Sequence, residues 1–371
     1  MGLFGAKGMF GFGCMRLPMN GEEVDLAEMN RMIDAFMDAG FNYFDTAHGY
    51  VGGKSETALR DTLAARYPRE SYVLVDKLTN VHWQTEADIR PVLEAELAAC
   101  GVEYFDALLM HAQNEEFYEH YKAEHAYDIG RQFVAEGKAK HFGISFHDKA
   151  DVLERILSEQ PGIEAVQLQF NYMDFEDVSV EARKCYEVCE RHGIPVIVME
   201  PVRGGSLVNL PAAALEIVEA LPGNVTPAAL ALRWCAQFPD VKMVLSGVSN
   251  LTQMEENIRT FMDPTSLSDG ESEAVLKIRS VFQSMDLIGC TACGYCVSGC
   301  PQQIDIPDLF SVMNAHTMYQ NWNSGWYYMV YTQGRSTAGD CIACGNCEDQ
   351  CPQRLPIIEL LEKVSAQFDG E

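Results

Sequence analysis

Short apolar and β-branched runs alternate along most of this chain with longer stretches whose apolar residues recur every three or four positions. The runs at 9–15, 41–46, 72–77, 107–111, 141–145, 165–170, 195–200 and 242–247 read as strands. They are apolar on successive residues, as parallel strands covered on both faces by helices are. Between the first two, Leu26, Met29, Ile33, Phe36 and Met37 form an apolar stripe on a stretch otherwise rich in Asp, Glu and Asn, the pattern of a surface helix. Similar helices are predicted over 55–65, 86–100, 116–136, 149–159, 178–191, 227–238 and 252–262. Eight strands alternating with eight helices predict an α/β fold, a (β/α)8 TIM barrel, whose active site belongs at the C-terminal ends of the strands. A run of Asp, Pro, Ser and Gly at 263–271 marks the edge of that barrel, and a short helix follows to Phe282.

Composition bounds the picture further. The chain has 371 residues, 47% hydrophobic and 22% charged, enough for one barrel and a smaller appendage. The formal net charge of −27 makes nucleic acid and anionic membrane poor partners and a redox protein with a basic patch a better one. The first residues lack a long apolar core after a basic start, and no later stretch is apolar enough to span a bilayer, so the expected setting is cytoplasmic.

The cysteines say what the appendage is. Eight of the thirteen fall in two copies of one spacing, Cys290, Cys293, Cys296, Cys300-Pro301 and Cys341, Cys344, Cys347, Cys351-Pro352. Three thiolates at this spacing wrap one face of an iron–sulfur cubane, and the fourth, before the proline, reaches the other cluster. Two [4Fe–4S] clusters are therefore expected. One is held by Cys290, Cys293, Cys296 and Cys351, the other by Cys341, Cys344, Cys347 and Cys300. Zinc fits less well, because its sites take paired Cys-x2-Cys motifs and here each motif carries a third and a fourth thiol. Disulfides cannot bridge cysteines so crowded. Exposed thiolate clusters also argue for a reducing compartment. The expected organisation is a barrel over 1–265, a linker helix over 266–285 and a mostly helical, ferredoxin-like di-cluster domain over 286–371. Between the motifs stand Trp322, Trp326, Tyr327, Tyr328 and Tyr331, expected to shield the clusters and join the appendage to the barrel, with a lid over the substrate as the alternative.

Polar residues gather at the predicted strand ends. Asp45 and Tyr50 follow the second strand, Lys77 ends the third and His111 ends the fourth. A phenol is a weak acid at neutral pH, and a nearby ammonium lowers its pKa. Tyr50 is thus the candidate proton donor, Lys77 the source of the field, Asp45 the anchor of Lys77, and His111 a hydrogen-bond donor to a carbonyl oxygen that gains charge. Any one of these alone is more often an ordinary solvated group. The set in this order points to carbonyl chemistry on a small aldehyde, ketone or alcohol.

From about Gly11 to Asn257 the chain resembles the aldo-keto reductase superfamily, whose Asp, Tyr, Lys and His tetrad matches the four residues above. Further matches lie at Gly143-Ile144-Ser145, Val166-Gln167-Leu168-Gln169 and from Ser246-Gly247 through Glu256-Asn257. Gly13-Cys14-Met15-Arg16 with Leu17-Pro18, together with the tandem cysteines, is similar to the branch with a C-terminal iron–sulfur domain. The resemblance implies NAD(P)H as cofactor, with Met15, Arg16, Ser145, Gln167, Met199, Arg203, Gly247, Gln253, Glu256 and Asn257 along it. Ser145 and Gln167 would meet the carboxamide, and Gln253, Glu256 and Asn257 would lie near the adenosine end. Many family members have Asn where this chain has Phe146, and a stacking aromatic where it has Met199. No Lys or Arg occurs within 246–257 to select a 2′-phosphate by charge. Arg203 either meets a phosphate or is a surface arginine.

Other features point to packing. Cys185, Cys189 and His192 share a helical spacing but read as buried small side chains, as do Cys14, Cys100 and Cys235. His82 and Trp83 either line the substrate pocket or pack. A cluster passes one electron while a nicotinamide moves two as hydride, which leaves three readings open. The first is an NAD(P)H-linked carbonyl reductase whose clusters serve a redox partner or a flavin. The second is a barrel fed by ferredoxin. The third is an electron-transfer module without turnover.

Overall fold

The computed structural model describes residues 2–370 apart from 178–179, 286, 291–293, 321 and 352. Eight parallel strands close into a barrel: β1 (Phe10–Gly13), β2 (Tyr43–Asp45), β3 (Val73–Leu78), β4 (Phe105–Gln113), β5 (Ala139–Phe146), β6 (Val166–Gln169), β7 (Val196–Met199) and β8 (Val241–Ser246). Each pairs with the next, and β8 closes on β1 through Phe10↔Val244 and Phe12↔Ser246. All eight predicted strands are present.

Side chains alternate across a strand, so every second residue faces the barrel interior. Tyr43, Val73, Val75, Ala107, Leu109, Ala165, Ile197, Met243 and Leu245 form one buried cluster there, with Leu3, Phe4 and Ala6 packed against it. Two residues further along the same faces come Asp45, Lys77, His111, Gln167 and Met199. The polar site is thus the next interior layer above an apolar plug. Glycine is required where strands crowd: a Cβ on Gly11 would lie 2.6 Å from the Leu245 side chain, and one on Gly143 2.6 Å from the Ala165 carbonyl oxygen.

The helices follow the predicted order: α1 (Leu26–Asp38), α2 (Lys54–Leu59), α3 (Glu86–Cys100), α4 (Glu115–Ala123), α5 (Ala126–Ala135), α6 (Ala150–Glu159), α7 (Ala182–His192), α8 (Ala212–Glu219), α9 (Pro227–Ala236) and α10 (Leu251–Met262). Three points differ from the sequence pattern. The stretch 116–136 is two helices, because His125 adopts φ 55 and caps α5. The helix expected from 178 begins at Ala182, with Glu181 at φ 50 before it, and Val178 lies outside the described residues. Helix α8 and a small hairpin pairing Met19–Asn20 with Glu23–Val24 had no clear periodicity to announce them.

The chain divides into two compact units, residues 1–203 with 223–271, and residues 204–222 with 272–371. The second is helical: α11 (Asp269–Gln283) enters it, followed by α12 (Tyr295–Ser298), α13 (Ile306–Tyr319), α14 (Trp322–Thr332), α15 (Asn346–Gln350) and α16 (Ile357–Phe368). Its core joins Ile304, Leu309, Phe310, Tyr327, Tyr328, Tyr331, Leu361 and Val364 to Cys296 and Cys347. Tyr327, Tyr328 and Tyr331 are therefore core residues of this unit, while Trp322 and Trp326 are exposed. No helix among the described residues is long and apolar enough to cross a membrane.

Candidate functional site

Lys77 projects from β3 into the barrel, where its Nζ donates to Asp45 Oδ1 at 2.6 Å and to the Thr46 carbonyl at 2.7 Å. Both side chains are buried, at 1% and 4% exposure, so this is a dry ion pair rather than a solvated one. Burial works against the Lys77 charge, but the charge of Asp45 and the hydrogen bond to it help override that and keep the ammonium above its ordinary value. The same Nζ lies 5.0 Å from the centre of the Tyr50 ring. A tight turn fixes Tyr50: its N–H donates to Ala47 O, and its carbonyl accepts from Gly53 and Ser55. Val51, the β-branched residue next to it, is held at φ 55, a strained conformation that the surrounding turn imposes.

His111 meets the Tyr50 ring edge to face, with centroids 5.9 Å apart. It sits at a bulge. The register of β4 against β5 shifts between Met110 and Gln113, and Ala112 at φ 52 donates its N–H to Ser145 Oγ at 2.7 Å. Bulges of this kind re-aim a side chain beside a site. His111 Nδ1 is 2.6 Å from Thr79 Oγ1, which leaves Nε2 as the ring nitrogen not engaged there. Burial, then the charge of Lys77, holds the His111 pKa well below its ordinary value, so the ring is neutral. His147 beside it is pushed down to about 4 for the same reasons.

One expectation is corrected here. The Lys77 ammonium does lower the Tyr50 pKa, but burial raises it more, and the phenol ends above its ordinary value. In this structure Tyr50 is a phenol that keeps its proton, not one made unusually acidic.

The residues expected along a nicotinamide dinucleotide separate into two groups. Gln167 Nε2 lies 3.4 Å from Asp45 Oδ2, and its buried Oε1 has no donor among the described residues. Ser145 Oγ accepts from Ala112 and keeps its own proton to donate. Arg16 lies across Gly247, whose Cβ would fall 3.5 Å from Arg16 Cβ, and it pairs with Glu200 at 3.1 Å. Met15 is exposed at 39% on the same loop, and Met199 ends β7. Gln253 sits in the first turn of α10 and accepts from the Ser249 N–H at 2.9 Å.

The second group is committed elsewhere. Arg203 is buried, not on the surface, and its Nε donates to Asp174 Oδ1 at 2.8 Å. Asp174 also accepts from Gln169 and Asn171, giving a buried polar network that the sequence did not announce. Asn257 is buried and donates to Ser246 Oγ, tying α10 to β8, and Glu256 accepts from Thr226 Oγ1 at 2.5 Å. Thr79 was also missed, although it lies two residues beyond Lys77 on the same face. Trp83 packs in the wall, stacked 4.5 Å from His120, while His82 meets His48 edge-on at 4.4 Å. Cys185 and Cys189 are buried, and His192 pairs with Glu154, so these three do not gather around a metal.

In the C-terminal unit the thiols converge on two hollows of about 330 and 310 Å3, counting the solvent at their mouths. Cys290, Cys296 and Cys351 line the first with Phe310, Leu355 and Ile357. Cys300, Cys341, Cys344 and Cys347 line the second with Ile304, Ile342 and Leu361. Cys293 lies outside the described residues. Cys300 thus stands with the first three cysteines of the other motif, and Cys351 stands with Cys290 and Cys296, the grouping a two-cubane site requires. Gly294 and Gly345, between the second and third cysteines of their motifs, adopt φ 75 and φ 82, which lets the backbone curl round each hollow. Apolar walls and paired thiol sets fit two iron–sulfur clusters.

Comparison with known proteins adds the following. The family described as "Aldo/keto reductase family" matches residues 10–278, and "4Fe-4S dicluster domain" matches residues 289–355. An uncharacterized oxidoreductase of Bacillus subtilis, YqkF, is 23% identical over 67% of this chain and 85% of its own. An NADH-specific methylglyoxal reductase of Escherichia coli is 23% identical over 61% of this chain and 81% of its own. Among solved structures, the holo form of aldo-keto reductase AKR11C1 from Bacillus halodurans superposes with a TM-score of 0.60 at 22% identity, covering 74% of this chain and 95% of that one. An aldo-keto reductase from Klebsiella pneumoniae in complex with NADPH superposes at 0.57 and 20% identity, covering 73% and 90%.

Proposed function

The chain belongs to the aldo/keto reductase family, and from that membership and the barrel mouth we propose that it interconverts an aldehyde or ketone and its alcohol with NAD(P)H, Tyr50 serving as proton donor and acceptor. The observation that carries this reading is the buried Asp45–Lys77 pair, 2.6 Å long, set 5.0 Å from the Tyr50 ring. A phenol that holds its proton through neutral pH is the acid a nascent alkoxide needs. As that proton leaves, the fixed ammonium stabilises the phenolate, and Asp45 keeps the ammonium in place. His111, neutral and engaged through Nδ1 by Thr79, presents Nε2 to the substrate oxygen. In the tautomer where Thr79 donates to Nδ1, the shorter of its two contacts, the ring proton is on Nε2, where it can stabilise developing negative charge.

The nicotinamide, when bound, supplies the hydride. The buried Gln167 Oε1 is an acceptor suited to a carboxamide N–H, and the free Ser145 O–H is a donor suited to its oxygen. Arg16 and Gly247 offer an open ledge for the rest of the cofactor. Arg203, Glu256 and Asn257 serve as framework beneath it.

The cysteine sets Cys290, Cys293, Cys296, Cys351 and Cys341, Cys344, Cys347, Cys300 would hold the two clusters, which supply one-electron transfer when present. A basic redox protein suits the −27 chain as the party exchanging those electrons. A bridging flavin finds no supporting observation in the geometry or the comparisons.

The test is turnover of short aldehydes by anaerobically purified, iron-replete protein with NADH and with NADPH. Reduction by either, lowered about 10²- to 10⁴-fold in Tyr50→Phe at unchanged iron content, is the expected result. Turnover only with reduced ferredoxin, or equal rates in Tyr50→Phe, would overturn it.

A further inference from the structure

The outward face of β3 carries a residue that its position does not explain. On this face Leu74, and on neighbouring strands Phe44 and Leu108, present apolar side chains to the surrounding helices, whereas Asp76 presents a fully buried carboxylate. Around it stand Glu56 of α2 and Cys100 of α3, and one ligand atom from each of the three lies within 4.8 Å of the others. Cys100 Sγ is 3.4 Å from Asp76 Oδ2. Glu96, one turn before Cys100 on α3, is also fully buried; the charges of Asp76 and Glu56 act on it, and its own acts on Cys100. Both Glu96 carboxylate oxygens, and Oε1 of Glu56, have no hydrogen-bond donor among the described residues.

Three carboxylates and a thiol are thus buried in one region with few donors: the Lys77 backbone N–H reaches Asp76 Oδ1 at 2.8 Å, and three of the other carboxylate oxygens have none among the described residues. His48 takes Oε2 of Glu56 at 2.7 Å, and Lys77, which follows Asp76, projects to the other side of the strand and is occupied by Asp45. Buried carboxylates are paired, protonated or bound to a cation.

We propose that Glu56, Asp76, Glu96 and Cys100 form a buried site for one divalent transition cation of the zinc or iron(II) class. The thiolate disfavours magnesium and calcium, and the carboxylates disfavour copper(I), which leaves borderline cations that accept both oxygen and sulfur. Binding exchanges protons for metal: the Cys100 thiol proton and any carboxyl protons leave to solvent, and no electron moves. The site lies within the barrel unit and shares no ligand with the cluster cysteines. It would pin α2 and α3 to the strand that carries Lys77, so its effect on the reaction is through position rather than contact with substrate.

The experiment uses the full chain with its clusters in place, incubated anaerobically with Zn2+ and desalted. Zinc and iron are counted by mass spectrometry, and zinc-edge X-ray absorption reads the ligand shell. The expected result is a single retained zinc over undiminished iron, with one sulfur and otherwise oxygen ligands. Retention should weaken about tenfold or more in Glu96→Gln and in Cys100→Ser while iron stays constant. A shell of sulfur alone would place the zinc at cluster cysteines and overturn the proposal. So would no retained zinc together with an infrared carboxylic-acid band that disappears in Glu96→Gln, since the group would then be neutralised by protons. The wild-type absorption spectrum decides the matter even where a variant fails to fold.

Discussion

In the barrel, both faces of the strands are buried apart from positions such as Lys140 and Lys242 near strand starts, and ladders between neighbouring strands satisfy the backbone around a closed circuit. In the C-terminal unit, the helices bearing cluster cysteines span only four and five residues, Tyr295–Ser298 and Asn346–Gln350, too short to be stable by themselves. Its apolar core runs directly into the thiols of Cys296 and Cys347. One region owes its form to apolar burial, whereas the other adds to an apolar core of its own two short cysteine-bearing helices that rest on the ligands they bind. The difference has a functional counterpart: the barrel can hold a charged pair in a dry interior because its frame is stable without it, whereas in the appendage the chemistry and the frame are the same atoms.

Stripping iron anaerobically should break this comparison most visibly. The C-terminal unit is expected to lose its helical circular dichroism and its melting transition, while the barrel keeps a separate transition. Loss of both together would mean that the barrel does not stand by itself. Next in size, Cys351→Ser should remove the cluster shared with Cys290 and Cys296 and leave the other, cutting bound iron to about half. Loss from the set containing Cys341 instead would show that the grouping of thiols round the hollows is not the ligation.

A smaller effect, confined to the barrel, is expected for Lys77→Met. It leaves Asp45 buried and unpaired, which costs about 3–5 kcal/mol and should lower the barrel transition without changing iron content. Removing the ammonium should also move the phenol pKa of Tyr50 still higher, visible as a shift of the alkaline limb of the pH–rate profile. The mildest prediction concerns acid. His147, held near 4 in the folded barrel, stays neutral while an unfolded histidine takes up a proton below its ordinary 6.5. Stability should therefore fall as pH drops from about 6.5 towards about 4 and change little above that window. His147→Phe should flatten this slope in a urea titration of the barrel; an unchanged slope would assign it to other groups.

Much of the site was legible because its signals are local. Strand ends at Asp45, Lys77 and His111 follow from apolar runs, and period-two alternation then sends all three into one interior layer. Helix α3 matched its predicted limits because Thr85 and Asp88 form a capping box at its start and Gly101, at φ 67, ends it. The stretch 116–136 misled for the opposite reason: apolar spacing continues through residues 124–125, and only the left-handed turn at His125 shows the break. For Arg203 the surface alternative fails, and no local pattern could have shown it, because its partner Asp174 lies 29 residues away on another loop.

The amino-acid order alone determined the barrel and predicted the cluster cysteines and the four polar residues at its mouth, since these depend on spacing between near neighbours and on short periodic patterns. Tertiary structure alone decided that Tyr50 keeps its proton, that Asn257 and Arg203 are buried and bonded to Ser246 and Asp174, and that Glu56, Asp76 and Cys100 meet. Those outcomes come from burial and from charges summed over elements distant along the chain, and no local pattern carries that sum.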